Sequence, residues 1–253
     1  MTERPGHARE LAKSAARRGV RLIMAWGGDG TINEVASALA FDEVPLGIIP
    51  SGSGNGLATE LKISRRPDRA IAAALAAEPR GMDVGEIDGH LFVNVAGVGF
   101  DAHVAARFND PGNVGRGLMG YARVAAGALF TYAPRNYRLD LDGTTIQSRA
   151  VLIGIANGAQ YGNNARIAPN ATVDDGLLDL VIVEESSRWR TLANVPKLFS
   201  GRAERVSGYR AVKIRRATLE CDEPMDYHVD GEPRAGGTSL RIRVHPRALM
   251  IAA

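Results

Sequence analysis

The apolar run VRLIMAW at residues 20–26 empties without a linker into GGDGTINEV at 27–35, so a buried strand must turn through glycines straight into a helix. That order constrains the fold more than any other feature of the chain, because strand, glycine turn and helix start make up the repeating unit of a parallel α/β sheet. The constraint is also chemical. Such a turn gathers backbone N–H groups and the positive end of a helix dipole at one point, and its glycines let an anion approach the backbone closely. The same rhythm surrounds it. HARELAKSAARR carries Leu11, Ala12, Ala15 and Ala16 at helical spacing and stops at Gly19. TINEVASALA predicts a helix, VPLGIIP a strand, GLATEL the opening of another helix, and PDRAIAAALAAEPRG a helix with proline near its start and glycine after its end. Residues 1–81 are therefore expected to form a doubly wound, parallel α/β domain.

From about residue 82 the rhythm changes to short strands punctuated by Asp-Gly, in VGEIDGHLFVNVAG, YRLDLDGTTIQSRAVLIGIAN and YHVDGEP. Asp-Gly between alternating runs signals a hairpin, because both central residues of a type I′ turn need positive φ. Residues 82–253 are expected to be an antiparallel β-sandwich domain whose last strand returns to the first domain. Helical interruptions are expected at GLMGYARVAAGALF (117–130) and RWRTLANVPKLFSG (188–201). Neither a repeat nor a low-complexity linker separates the halves, so they should pack with a cleft between them.

Composition narrows the setting. With 253 residues, 45% apolar and 23% charged, the chain can bury a core. Its one cysteine, Cys221, cannot form an internal disulfide, which points to a reducing compartment. No apolar stretch approaches membrane-spanning length and MTERPGHARELAKSAARRGV has no signal core, so a cytoplasmic protein, at most peripheral to the inner membrane face, is expected. A net charge of +3 and a pI near 9.2 allow contact with anionic headgroups, while lysines and arginines too scattered to form a patch speak against nucleic acid. The histidines show no metal-binding spacing: His7 and His90 read as surface, His103 and His228 as cleft residues. Arg215 and Arg216 read as solvated charges at a strand edge.

Two loops carry the chemistry. In the first, Thr31 and Glu34 have the T-x-x-E spacing of a capping box, which accounts for both without a ligand. Asp29 is different, since its charge would oppose phosphates unless it served a metal, a proton transfer or the loop's own hydrogen bonds. The second loop, PSGSGNGLATEL (50–61), also follows a strand and offers Ser51, Ser53 and Asn55 among Gly52, Gly54 and Gly56. Glycine-rich loops at the C-terminal ends of neighbouring parallel strands bracket the crevice where α/β folds bind nucleotides. Neither loop matches G-x-x-x-x-G-K-[ST] or G-x-G-x-x-G.

GGDGTINEV, GIIPSGSGNGLA, NVAGVGFDAHVA, YGNNARIAPNATVDDGLLDLVIV and HVDGEP, in that order, resemble the bacterial diacylglycerol kinase and sphingosine kinase family of lipid kinases across almost the whole chain. The GGDGT element alone is shared with NAD kinases and, loosely, phosphofructokinases. The resemblance implies a nucleotide domain followed by a β-rich domain, with ATP and Mg2+ serving transfer of the γ-phosphate to the hydroxyl of a diacylglycerol-like or sphingoid lipid at a membrane surface. It implies that Gly27, Gly28, Asp29, Gly30, Thr31, Ile32 and Asn33, with Gly52, Ser53, Gly54 and Asn55, surround the phosphates and that Thr2 reaches the nucleotide. It further implies a Mg2+ site from Asp175 and the backbone carbonyls of Thr172 and Leu177; Asp174 reads as an ordinary turn residue. The proton-accepting carboxylate falls at Asp230 and Glu232 by likeness to the bacterial diacylglycerol kinases and at Asp29 by likeness to the sphingosine kinases, and both assignments stand open at this point. FDAHVAARF and GLMGYARVAAGALF are candidate walls of an acyl-chain cleft, although most of their residues also suit ordinary core helices.

The chain departs from the family pattern in two places. Family members carry a strand, an N-P-x-S-G loop, a helix and another strand ahead of the T-x-x-x-G-H-A segment, and this chain starts at that segment, TERPGHA. The expectation is a sheet short of two strands and one phosphate loop, with an exposed edge that favours self-association such as a homodimer. Gly56 stands where many members have Asp, which shifts the expected substrate away from strict diacylglycerol kinases. The competing readings are a catalytically impaired lipid- or nucleotide-binding relic and, from GGDGT alone, a NAD kinase.

Overall fold

A computed structural model describes residues 2–108, 124, 127–128, 132–162, 165–186, 197 and 202–253. The helices expected at 117–130 and 188–201 fall almost entirely outside the described residues.

The first part of the chain alternates as its periodicity predicts: α1 (His7–Ala16), β1 (Ile23–Gly27), α2 (Asp29–Leu39), β2 (Leu46–Pro50), α3 (Gly56–Glu60) and α4 (Pro67–Ala76). Strands β1 and β2 are parallel and in register from Ile23 with Leu46 to Gly27 with Pro50, so both glycine loops leave the sheet at the same end. Helix α4 starts with its proline in the first turn, where a missing N–H costs nothing. The apolar stripe of α1 is narrower than its spacing suggests: Ala8 and Ala12 are buried, whereas Leu11 is 49% exposed.

The remainder is mostly antiparallel: β3 (Arg80–Ile87), β4 (His90–Phe92), β5 (Val95–Gly99), the helix α5 (Phe100–Phe108), β6 (Arg135–Leu141), β7 (Thr144–Ala156), β8 (Gln160–Gly162), β9 (Ala165–Arg166), β10 (Leu178–Glu184), β11 (Tyr209–Ile214), β12 (Arg216–Glu220), β13 (Tyr227–Val229), β14 (Glu232–Arg234) and β15 (Ser239–Ile251). Asp88-Gly89, Asp142-Gly143 and Asp230-Gly231 each turn a hairpin, β3–β4, β6–β7 and β13–β14. All six residues have positive φ: 47° and 82° at Asp88 and Gly89, 50° and 92° at Asp142 and Gly143, 48° and 88° at Asp230 and Gly231. Apart from the small β8–β9 ribbon, the described strands form one continuous 13-stranded hydrogen-bonded network.

Its centre is β15. That strand pairs antiparallel with β12 and β3, then meets β2 in parallel at Ile251 and Leu46, so the last strand completes the sheet of the first. The apolar residues divide accordingly into two large clusters. One joins Ile32, Leu39, Leu46, Ile48 and Leu57 to Met82, Leu249 and Ile251; the other joins Phe92, Ile153, Ile155, Leu180 and Leu219 to Leu240 and Ile242. Cys221 is half-buried against the second cluster and unpaired. Among the described residues, no helix is long and apolar enough to cross a membrane.

Candidate active site

The two glycine loops touch. A Cβ built on Gly52 would lie 2.6 Å from the Gly28 Cα, and one on Gly28 would lie 3.2 Å from the Gly52 Cα, so only glycines allow the two backbones to close on each other. Across this contact Asp29 clamps the second loop. Its Oδ2 accepts the Asn55 N–H at 2.9 Å and its Oδ1 accepts the Gly56 N–H at 2.7 Å, at the start of α3. The acidic residue in the loop expected to bind an anion thus serves hydrogen bonds of the loops themselves. Gly54 makes room for it, since a Cβ there would stand 2.6 Å from Asp29 Oδ2.

The T-x-x-E capping box does not form. Helix α2 begins at Asp29 with Gly28 at its N-cap, two residues before Thr31. Thr31 packs on Gly27 instead, its Cβ 2.6 Å from where a Gly27 Cβ would sit. Glu34 turns to α1, where it accepts the N–H groups of Gly6 at 2.7 Å and Ala8 at 3.0 Å. It caps a neighbouring helix rather than its own. With no capping side chain at Gly28, the N–H groups of the first turn of α2 are left to outside partners.

The remaining loop residues divide between interior and surface. Ile32 is 1% exposed and belongs to the core. Asn33 is buried and its Nδ2 donates to Asp230 Oδ2 at 2.7 Å and to the Leu91 carbonyl at 3.1 Å. Asn55, in the left-handed region at φ 53°, staples its own loop: Oδ1 accepts the Gly52 N–H at 2.9 Å and Nδ2 donates to the Gly52 carbonyl at 2.5 Å. Ser53 and Thr2 are exposed. A larger residue at Gly56 would have to displace the Asn94 side chain, because a Cβ there would stand 2.6 Å from Asn94 Nδ2.

The β13–β14 hairpin brings the late acidic pair to the same place, with the two side chains in opposite situations. Asp230 accepts four N–H bonds: Oδ1 from Asn94 and Val95, both at 2.9 Å, and Oδ2 from Val93 at 2.9 Å and from Asn33. A carboxylate has about four acceptor sites, so this one is saturated. Burial pushes its carboxyl above the ordinary range, and these donors offset that only in part. Glu232 is exposed, and its Oε1 lies 3.2 Å from where a Cβ on Gly30 would be, directly over the start of α2.

The loop expected to hold magnesium is anchored by hydrogen bonds and an ion pair. Asp175 Oδ1 accepts the Leu177 N–H at 3.0 Å, and its Oδ2 pairs with the Lys213 ammonium at 2.8 Å, which also reaches Asp179 at 3.0 Å. Burial pulls the Lys213 pKa down, but the two carboxylates leave it above the ordinary lysine value. A divalent ion on Asp175 Oδ2 would take the place of the part-exposed Lys213 ammonium. Asp83, fully buried, fixes this loop from behind by accepting the Gly176 N–H at 2.6 Å, with the Arg247 N–H on its other oxygen at 2.7 Å. Among the described residues, no three His, Cys, Asp or Glu side chains gather as a metal site.

Of the isolated histidines, His90 is exposed and bonded to the Tyr227 hydroxyl at 2.7 Å, and His228 is buried against Asp101. Glu34, Asp83, Asn94, Asp101 and Lys213 carry structural weight that spacing alone could not assign, because each acts on a residue far away in sequence. Glu34, Asn94 and Asp101 are partial exceptions, since they lie in the quoted GGDGTINEV and NVAGVGFDAHVA segments.

Known proteins resemble this chain over its whole length. Residues 1–87 match the model of the diacylglycerol kinase catalytic domain, and residues 94–253 match that of the YegS C-terminal NAD kinase beta sandwich-like domain. A probable lipid kinase YegS-like of Chromohalobacter salexigens is 31% identical over all of this chain and 82% of its own length. One of Pseudomonas savastanoi is 32% identical over 99% of this chain and 82% of its length. Among solved structures, a diacylglycerol kinase from Bacillus anthracis superposes with a TM-score of 0.75 at 20% identity, covering 99% of this chain and 82% of that one. A second structure from the same organism superposes at 0.82 with 24% identity and the same coverage.

Proposed function

The chain belongs to the bacterial diacylglycerol kinase-like family of lipid kinases, and from that premise we propose that it transfers the γ-phosphate of MgATP to the hydroxyl of a diacylglycerol-like or sphingoid lipid, with Glu232 as the proton acceptor. Phosphoryl transfer asks the protein mainly to hold the phosphates, neutralise charge and accept a proton from the attacking hydroxyl. The start of α2 offers N–H groups and a helix dipole for the phosphates, and magnesium enters as part of the nucleotide substrate. The observation that carries the reading is the contrast among the three carboxylates. Asp230 has no acceptor site left, Asp29 has one bond on each oxygen into the second loop, and Glu232 stands exposed over Gly30. Soluble protein working at the membrane surface suits a lipid substrate and the positive net charge.

The test is transfer of labelled phosphate from MgATP to a panel of lipids in mixed micelles, with NAD as a parallel acceptor. Glu232→Gln should lower kcat by ~10²–10⁴-fold with the melting temperature unchanged. Retention of near-normal turnover in that variant would remove Glu232 from the role, and labelling of NAD alone would overturn the lipid reading.

A further inference from the structure

Next to the candidate base lies a buried pair that the reaction scheme does not use. His228 on β13 is 2% exposed, and its Nε2 bonds Asp101 Oδ2 at the start of α5. The space they share exists because β13 pairs with β5 so that His228 stands opposite Gly97. A Cβ on Gly97 would lie 2.1 Å from Asp101 Oδ2 and 2.6 Å from His228 Nε2. The other ring nitrogen faces the hairpin: His228 Nδ1 accepts the N–H of Gly231 at 3.3 Å. Gly231 immediately precedes Glu232, and its φ of 88° lies in the left-handed region that favours glycine.

The partners dictate the tautomer. A carboxylate accepts, so Nε2 must carry a hydrogen; a backbone N–H donates, so Nδ1 must present a lone pair. The imidazole is therefore neutral when both bonds are made. The turn is then held by the four bonds to Asp230 and by the ring of His228. We infer that His228, held in its Nε2–H tautomer by Asp101, is a positioning residue that fixes the β13–β14 turn so that Glu232 stays over Gly30. This rests on the reading of Glu232 as proton acceptor.

A consequence in pH follows. Protonating Nδ1 would set a donor against the Gly231 N–H and release the turn. Among the described residues, the charges acting on the ring are Asp101 from α5 and Asp230 from the hairpin itself. Burial pulls the His228 pKa down, but Asp101, by charge and hydrogen bond, and the Asp230 charge leave it above the ordinary histidine value. Positioning is thus intact above that pKa and lost as pH falls through it. Removing the Asp101 charge lowers the pKa and moves the loss to more acidic pH.

The experiment joins NMR of the whole chain to kinetics. Long-range 1H–15N correlation spectra of the unliganded protein should show His228 as the Nε2–H tautomer at alkaline pH, and kcat should fall on the acid side at the pH where that ring titrates. In Asp101→Asn, the ring pKa and the acid limb of kcat should move down together by about one unit, while KM for ATP stays put. His228→Gln, which can reach Asp101 but cannot titrate, should lower kcat by up to ~10²-fold and lose that acid limb. An Nδ1–H tautomer in the wild-type spectrum overturns the proposal even if neither variant folds. So does an acid limb that ignores both substitutions while Glu232→Gln is inactive. An active Glu232→Gln instead overturns the underlying reading of the base and leaves the spectroscopic result to stand alone.

Discussion

Asp29 shows how much one side chain can conceal in a motif. Its two bonds to Asn55 and Gly56 join loops that are consecutive in the fold but separated by β2, and they satisfy N–H groups at the start of α3 that no helix can pair internally. Asp29→Asn would turn an amide donor toward one of these two N–H groups. The expected result is a loss of stability of about 1–3 kcal/mol, seen as a lower urea midpoint, with activity impaired through a higher KM for ATP rather than through kcat. A variant with wild-type stability and abolished kcat would instead make Asp29 the proton acceptor. That Asp29 needed a special explanation was legible in GGDGT, because a carboxylate among phosphate-binding glycines is electrostatically out of place. Which explanation holds was not, since its partners lie 26 and 27 residues away and are brought near by the pairing of β1 with β2 and the contact of Gly28 with Gly52.

Local patterns predict an element well when the element's own backbone decides it. The three Asp-Gly hairpins and the proline-led α4 are of this kind, because positive φ and a missing N–H are properties of the residues themselves. Features decided by neighbours go astray. Leu11 has the right spacing for a core face, yet α1 buries only the side carrying Ala8 and Ala12. Thr31 and Glu34 have the right spacing for a cap, yet α2 starts earlier and Glu34 serves α1. The same Asp-Gly chemistry makes an exposed turn at Asp142 and a saturated anchor at Asp230, and only the strands packed around the turn distinguish them. The cap can be tested directly. Glu34→Ala should cost about 0.5–2 kcal/mol and raise amide exchange first in α1, leaving β7 protected. Equal loss of protection in both elements would mean that Glu34 supports the core rather than the helix.

At the scale of the molecule the decisive element is the last strand. Residues near the start of β15, Leu240 and Ile242, pack in one large cluster, while Leu249 and Ile251 near its end pack in the other, beside Ile32, Leu46 and Leu57 under the glycine loops. Neither core can lose its share of β15 without pulling the strand through the other. The site spans the same division, because Asp230 from the β13–β14 hairpin is bonded to Asn33 of α2 and to the backbone between β4 and β5. The two rhythms of the sequence therefore name the architectures of the halves correctly but understate how far they are one body. Unfolding should be a single cooperative transition. Leu249→Ala removes a side chain that is 0% exposed, and it should cost about 2–5 kcal/mol. Because Leu249 packs in the core of the first half while β15 runs on into the other, amide protection in β2 and β7 should fall together, and calorimetry should show one peak displaced to lower temperature. Two resolved peaks, with only the first displaced, would mean that the halves melt independently and that β15 merely touches the first core.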